Sequence, residues 1–388
     1  MNMKNVYLDH NASTNISEEV LNKITLLLGV AANASAIHQH GRLAKGLVED
    51  ARREIMHSLN ISPLDYDVIF TSSGTESNNM VVKSFSDYDL FILSTEHLSL
   101  IKVAKSMKSV TFLKVDKDGV VDLNYLKDAL SKNKNEKKLV SIAHANNETG
   151  VIQDIKTIAE IVHSEGAILH SDMIQSFGRI KCDLVDLDID LATVSSHKIG
   201  GMHGAAALIK KSHIPVSPLL HGGGQERGFR AGTENVYAIA SFGEATKLIK
   251  DNIERYQEVK SLRDYLEMSL VEFESDIKIY SKNVLRLPNT SYISMPGVNS
   301  QTQLINFDLK GFSVSSGSAC SSGVVERSHV LKAMNDNDEF SDNAIRISLG
   351  INNTKEEIQN FICAWKDVYL TLSKHREGLL KSKMRKEV

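Results

Sequence analysis

The stretch LVSIAHANNETGVIQDIKTIAEIVHSEGAILHSD, Leu139 to Asp172, decides the architecture. An apolar β-rich run, LVSIAHAN (Leu139 to Asn146), leads into DIKTIAEIVHSEG (Asp154 to Gly166), which reads as a helix, and then into a second apolar run, AILHSD (Ala167 to Asp172). Two buried strands joined through a helix make a βαβ unit, the building block of parallel sheet. The pattern continues outward on both sides. VIFTSS (Val68 to Ser73) and LFILS (Leu90 to Ser94) precede the unit and LATVSSHK (Leu191 to Lys198) follows it, which predicts one α/β domain with a largely parallel sheet from about Asp67 to Lys211.

From Thr233 to Phe273 apolar residues recur at helical spacing among many charges, predicting long helices that carry the chain out of this domain, with a boundary near Tyr256. Beyond it, Asp276 to Pro296 reads as strands, Ser300 to Lys310 as a helix, Ala344 to Leu349 as a strand and Thr354 to Leu372 as a closing amphipathic helix. Together they predict a smaller α+β domain.

The 388 residues are 42% hydrophobic and 24% charged, which excludes collagen-like, disordered and disulfide-scaffold classes. Lys+Arg total 45 against 48 Asp+Glu, a net charge of −3, so no global field draws the chain to nucleic acid or an anionic membrane. The Lys/Arg-rich run from Lys374 to Lys386 reads as a solvated helix end. No apolar run reaches the roughly twenty residues of a membrane span, and Met1 to Asn11 lacks the features of a signal peptide, so a cytoplasmic protein is expected. Cys182, Cys320 and Cys363 show no metal or CxxC spacing and are expected reduced, Cys182 and Cys363 as packing residues. The pairs His38/His40 and His197/His203 lack further ligands at motif spacing, and no metal is expected.

In an open parallel sheet, ligands sit beyond the carboxyl ends of the strands. The residues there are polar: Thr75, His97, Asn147, Asp172 and Gln175, then Ser195, His197 and Lys198. Gly74 and Thr75 stand at a strand-to-helix turn, where free amides and the helix dipole favour phosphate, although a capped helix without ligand has the same letters. Ser77 and Asn78 read as cap or first-turn residues. Lys198 ends a run that should be buried, which suits an amine whose charge is removed in a Schiff base with an aldehyde such as pyridoxal phosphate; a strand ending in water is the plainer alternative. Asp172 can hold a pyridinium nitrogen protonated, or simply cap a helix. Gly-rich HGGGQERGFRAGT (His221 to Thr233) suits close approach of backbone to an anion, and GSAC (Gly317 to Cys320) places a thiol in a Ser/Gly-rich loop.

Taken in order, YLDHNAST, IHQHGRLAKGLVEDAR, FTSSGTESNN, STEH, HANNETG, HSDMIQS, SSHK, GGGQERGFRAGTENV, SSGSACSSG and AIRISLG, spread from Tyr7 to Gly350, resemble the landmarks of the cysteine desulfurases. These are pyridoxal-phosphate enzymes of the aminotransferase class V superfamily. The resemblance implies a fold-type I homodimer. Its large domain, residues 15–255, would carry a mostly parallel seven-stranded sheet, and residues 1–14 with 256–388 would form the small domain. By the same resemblance Lys198 holds the cofactor, Asp172 pairs with its ring nitrogen, Gln175 meets the ring hydroxyl and His97 stacks on the ring. Gly74, Thr75, Ser195 and His197 would surround the phosphate, with Thr233 reaching that of the other subunit. Arg346, with Asn147 and Asn11, would hold the substrate carboxylate, and Lys198 and His97 would move protons.

The implied reaction takes L-cysteine to L-alanine and leaves sulfur on Cys320 as a persulfide for an acceptor protein, whether in iron-sulfur assembly, tRNA thiolation or DNA phosphorothioation. SACSSGVVERSHVL is similar to the longer-loop group of the family. The chain departs from the family in lacking prolines in NASAIH and KIGGMHG, and its end, KSKMRKEV, is unlike the tail that scaffold-binding members use. Rival readings are another class V enzyme, such as a selenocysteine lyase, and a catalytically weak sulfur-relay or scaffold protein.

Overall fold

The computed structural model describes residues 5–31, 33–317, 327–335 and 339–384, without the side chains of 339 and 373–384. The chain opens with β1 (Val6–Tyr7), α1 (Glu18–Thr25) and α2 (Gln39–Ser58), then alternates β2 (Tyr66–Thr71), α3 (Gly74–Ser84), β3 (Asp89–Leu93), α4 (Leu98–Ala104), β4 (Val110–Leu113), α5 (Leu123–Lys132), β5 (Lys138–Ser141), α6 (Ile155–Ser164) and β6 (Ile168–Asp172). Next come β7 (Leu191–Ser195) and β8 (Ala206–Lys211), followed by α7 (Val236–Lys247) and α8 (Ile249–Phe273). The remainder holds β9 (Thr290–Ser294), α9 (Ser300–Leu309), β10 (Phe312–Ser313), α10 (His329–Ala333), α11 (Glu339–Asp342), β11 (Ala344–Ser348) and α12 (Lys355–Met384).

The expected seven-stranded sheet is present, in the order β2-β8-β7-β6-β5-β3-β4. The contacts from β7 through β4 are all parallel, while β8 runs antiparallel to both its neighbours. The reversal has a simple cause: residues 196–205 are too few for a helical crossover, which parallel neighbours require. Helices cover both faces, so strand residues are buried whichever way they point. Val68 and Phe70 pack with α2 and α7 on one face, and Ile69 with α3 and α4 on the other. Local signals set the helix starts. Asp154 caps α6 by accepting from the Thr157 amide (3.2 Å), and Ile155, Ile158, Ala159 and Val162 form its buried stripe.

At the outer strand β2, Arg52 and Glu226 form a buried two-pronged pair, with both contacts at 3.0 Å. Glu226 also accepts from the Phe70 amide (2.8 Å), and Arg52 donates to the Val68 carbonyl. A third apolar cluster gathers Val6 and Leu8 with Tyr256, Leu266, Ile345, Phe361 and Trp365, and α8 runs from the first cluster, at Ile249, into this one.

Four readings need correction. Cys363, expected as a packing residue, is exposed, because it falls on the outer face of α12. Leu139 to Asn146 is strand only as far as Ser141; the chain then turns, with an isolated bridge from Ala145 to Ile152. Asp276 to Pro296 contains one strand, β9, because the residues before it make single bridges, such as Ile279 to Ile293, rather than a ladder. The edge strand β4 was not anticipated, its run VTFL being short and mostly half-buried.

Candidate active site

Because β5, β6 and β7 are parallel, their first polar residues emerge at one edge of the sheet. A cavity of about 280 Å³ opens there, lined by Gly74, Thr75, His97, Asn147, Asp172, Gln175, Ser195, His197 and Lys198 among others. A 3₁₀ turn, Ser196–Lys198, continues β7 and brings Lys198 to the cavity, where Nζ donates to the carbonyls of Asn11 (2.5 Å) and Ala12 (2.8 Å). The segment after β1 therefore lies across the lysine.

Asp172, buried at the end of β6, accepts from the Asn78 amide group (2.8 Å) and from the Ile174 N–H (2.9 Å). Its charge, added to complete burial, pushes the neighbouring Glu96 carboxyl well above its usual range. His97 caps α4 through Nδ1, which receives the Ser99 N–H (3.2 Å) and lies 2.8 Å from Ser99 Oγ. Burial pushes His97 down, Lys198 and His329 push the same way, and Asp172 opposes them.

Gln175 is clamped. Its oxygen accepts from Arg179, and its Nε2 donates to the Asn11 carbonyl (3.1 Å). Arg179, 1% exposed, also donates to the carbonyls of Gln175 (3.0 Å) and His10 (2.9 Å). A guanidinium only donates, so the Gln175 oxygen must face it and the amide nitrogen must face the other way.

At the opposite end of the cavity α3 starts, with first-turn amides that have no intrahelical partner. Ser195 Oγ is buried and has no hydrogen-bond partner among the described residues. Burial, with Lys198, His203 and Arg179 nearby, pushes His197 down to about 3, so its ring is neutral. An orphaned hydroxyl, an open helix start and a neutral imidazole fit a phosphate, and the lysine amine beside them fits an aldehyde.

Other expected residues lie further off. Arg346 pairs with Asp9 (2.6 Å) and donates to the Asn147 carbonyl (2.9 Å), leaving one hydrogen on each Nη and a buried, partnerless Nε. The Asn11 amide is held by Asn147, Thr290 and Asn289, so Asn11 meets the lysine through its carbonyl. Thr233 lines a separate cavity of about 200 Å³ with Ser72 and Arg230. Cys320 lies outside the described residues.

Sequence reading missed Asn78 as a site residue, although it follows Gly74 by one helical turn on α3 and so shares its face. It also missed Ser99, Arg179 and Glu148. Glu148 is buried beneath both ends of the thiol-bearing segment: Ser328 Oγ donates to its Oε2 (2.5 Å), and a Cβ on Gly317, at φ 74°, would lie 2.9 Å from that oxygen.

Residues 6–361 match the family described as Aminotransferase class-V, and the chain belongs to that family. Within it the chain is similar to cysteine desulfurases. The Cysteine desulfurase IscS of Dictyoglomus turgidum is 36% identical over 371 residues, 92% of this chain and 92% of that protein. The Cysteine desulfurase IscS of Salmonella paratyphi C is 36% identical over 372 residues, covering 91% and 90%. The solved NifS-like protein from Rickettsia africae is 44% identical, with a TM-score of 0.89 over 94% of this chain and 99% of that one.

Proposed function

We propose that the chain is a pyridoxal-phosphate-dependent cysteine desulfurase, which converts L-cysteine and the Cys320 thiol into L-alanine and a Cys320 persulfide. The observation that carries this reading is the convergence of Lys198, Asp172 and His97 on one cavity that also holds the partnerless Ser195 hydroxyl. Lys198 would hold the cofactor through Nζ, Asp172 would face its ring nitrogen, and Gln175 would donate to its ring hydroxyl. Gly74, Thr75, Ser195 and His197 would take the phosphate, with Thr233 serving the partner's. When bound, the cofactor supplies a sink for the electron pair left as the substrate Cα–H bond breaks.

The chain's own groups do the rest. Arg346 and Asn147 orient the substrate carboxylate. Lys198 Nζ takes the Cα proton, and His97 moves protons beside it. The Cys320 thiolate attacks the substrate sulfur; an S–S bond forms, the Cβ–S bond breaks, and the carbon left behind is protonated to alanine. Atoms and electrons balance without an added oxidant.

The working form is a homodimer divided within α8 into domains of residues 15–255 and 1–14 with 256–388. An acceptor protein would take the sulfur in the cytoplasm, with no nucleic acid or membrane engaged directly; no helix among the described residues is long and apolar enough to cross a membrane.

The test is release of alanine and sulfide from L-cysteine with a reductant present, run beside Cys320→Ser. Equal yields from the wild type, with both lost in the variant, are expected. Alanine and sulfide release that persists undiminished in Cys320→Ser would overturn the assignment.

A further inference from the structure

Asn78 touches neither Lys198 nor His97 in any hydrogen bond, yet it stands between the aspartate and the histidine of the site. Its Nδ2 lies 2.8 Å from Asp172 Oδ2 and 2.9 Å from Ser99 Oγ. An amide nitrogen carries two hydrogens, and these two acceptors use both. Exchanging the amide oxygen and nitrogen would set a lone pair against the Asp172 carboxylate, so the orientation is fixed by charge. The cost is visible, since Asn78 Oδ1 is buried without a partner among the described residues.

The next link follows from counting protons. Ser99 Oγ accepts from Asn78, so its single hydrogen is left to point to His97 Nδ1, 2.8 Å away. The Ser99 backbone N–H donates to the same nitrogen (3.2 Å). Two donors converge on Nδ1, so it presents a lone pair, and the one proton of a neutral imidazole belongs on Nε2. Asn78 is fully buried and Ser99 is 8% exposed, which keeps water from replacing either link.

We propose that Asn78 and Ser99 are positioning residues that fix the tautomer of His97, holding Nδ1 as an acceptor and the ring proton on Nε2. An Nε2–H can be handed to a departing sulfur or to a carbon that has lost one, so this inference rests on the proposed reaction for its purpose. The tautomer itself does not. The charged groups facing the ring are Asp172 from β6, Lys198 from the turn after β7 and His329 from α10. Asp172 alone favours a second ring proton. The Asn78–Ser99 chain opposes it, because a hydroxyl held as a donor cannot accept from a protonated Nδ1.

The test is nitrogen-15 NMR of histidine-labelled full-length protein as purified, with the His97 signals assigned by their loss in His97→Gln. A protonated Nε2 and an unprotonated Nδ1 are expected for the wild type between pH 6 and pH 8. Asn78→Ala, which frees the Ser99 hydroxyl to turn its hydrogen away from Nδ1, is expected to raise the ring's titration midpoint by about one pH unit. Ser99→Ala should move it the same way, and Ser99→Thr, which keeps the hydroxyl, should restore it. A wild-type ring protonated on Nδ1 would sink the proposal even if no variant folds, as would an unchanged midpoint in a folded Asn78→Ala. Absence of alanine release from a wild type with the Nε2–H tautomer would count against the desulfurase reading and leave this one standing.

Discussion

The cavity wall and the segment His221 to Thr233 are both glycine- or polar-rich in sequence, and they are held in opposite ways. In the wall, buried polar groups find partners from distant parts of the chain: Asp172 with Asn78, Arg179 with the carbonyl of His10, Lys198 with the carbonyl of Asn11. In the segment, residues 221–224 are exposed, and Glu226 and Arg227 take left-handed φ values of 46° and 56°. The buried Glu226 ties it to the body through Arg52 and the Phe70 amide, and nearer the surface Arg230 pairs with Glu76 (2.9 Å) and Arg227 with Asp67 (3.3 Å). The wall is thus held by a network of buried hydrogen bonds, whereas the segment has one pin in the interior, Glu226, with two outer ion pairs, and leaves residues 221–224 exposed. A surface built that way suits contact with something other than its own body, consistent with the proposed dimer.

The largest effect should come from removing the pin. Glu226→Gln leaves the Arg52 cation, which is 5% exposed, with only the part-exposed Glu49 (3.2 Å) as a charged partner, and loss of one partner of a buried pair costs about 3 kcal/mol, read as a fall in the urea midpoint. If the outer pairs of Arg227 and Arg230 carried the attachment instead, the loss would be much smaller. Arg179→Met tests the wall: it leaves the Gln175 and His10 acceptors unpaired in the core, a cost of about 2–4 kcal/mol by the same measurement.

Ser195→Ala sharpens the comparison, because the Ser195 hydroxyl lines the cavity and has no hydrogen-bond partner among the described residues. Folding stability should change by no more than about 0.5 kcal/mol, while affinity for pyridoxal phosphate, measured by titration of the apoprotein, should fall about ten-fold. A large stability loss with unchanged cofactor affinity would show the hydroxyl to be structural.

The smallest effect lies away from both regions. The hydrogen bond that His163 donates to Asp190 raises the histidine above its ordinary value, against partial desolvation. The folded state therefore binds more protons near neutrality, and stability must fall as pH rises: the contribution is complete below about pH 6.5 and is lost as pH passes through the raised folded value. For a half-exposed pair it amounts to less than about 1 kcal/mol, checked by urea midpoints at pH 6 and pH 8 for the wild type and His163→Gln.

Much of this was legible in the sequence because parallel strands announce themselves as apolar runs and deliver their next polar residue to a common edge. Asp172, Ser195 and Lys198 are found by that rule alone. The reversed direction of β8 needed attention to the shortness of the link before it, and the edge strand β4 lacked the apolar length that marks its neighbours. Ser99, Arg179 and Glu148 were not legible for a different reason. Their significance lies in pairings such as Glu148 with Ser328, 180 residues apart, which no local pattern encodes.

The Arg52–Glu226 pair has one more consequence. An outermost strand exposes a row of unmatched amides and carbonyls, a template on which another chain's strand can grow. On β2 the outward amide of Phe70 and the outward carbonyl of Val68 are already taken by this pair. That border is blocked at these two positions by side chains, so a chain proposed to meet a second copy and a sulfur acceptor can do so through chosen surfaces without nucleating aggregates along this stretch of its edge.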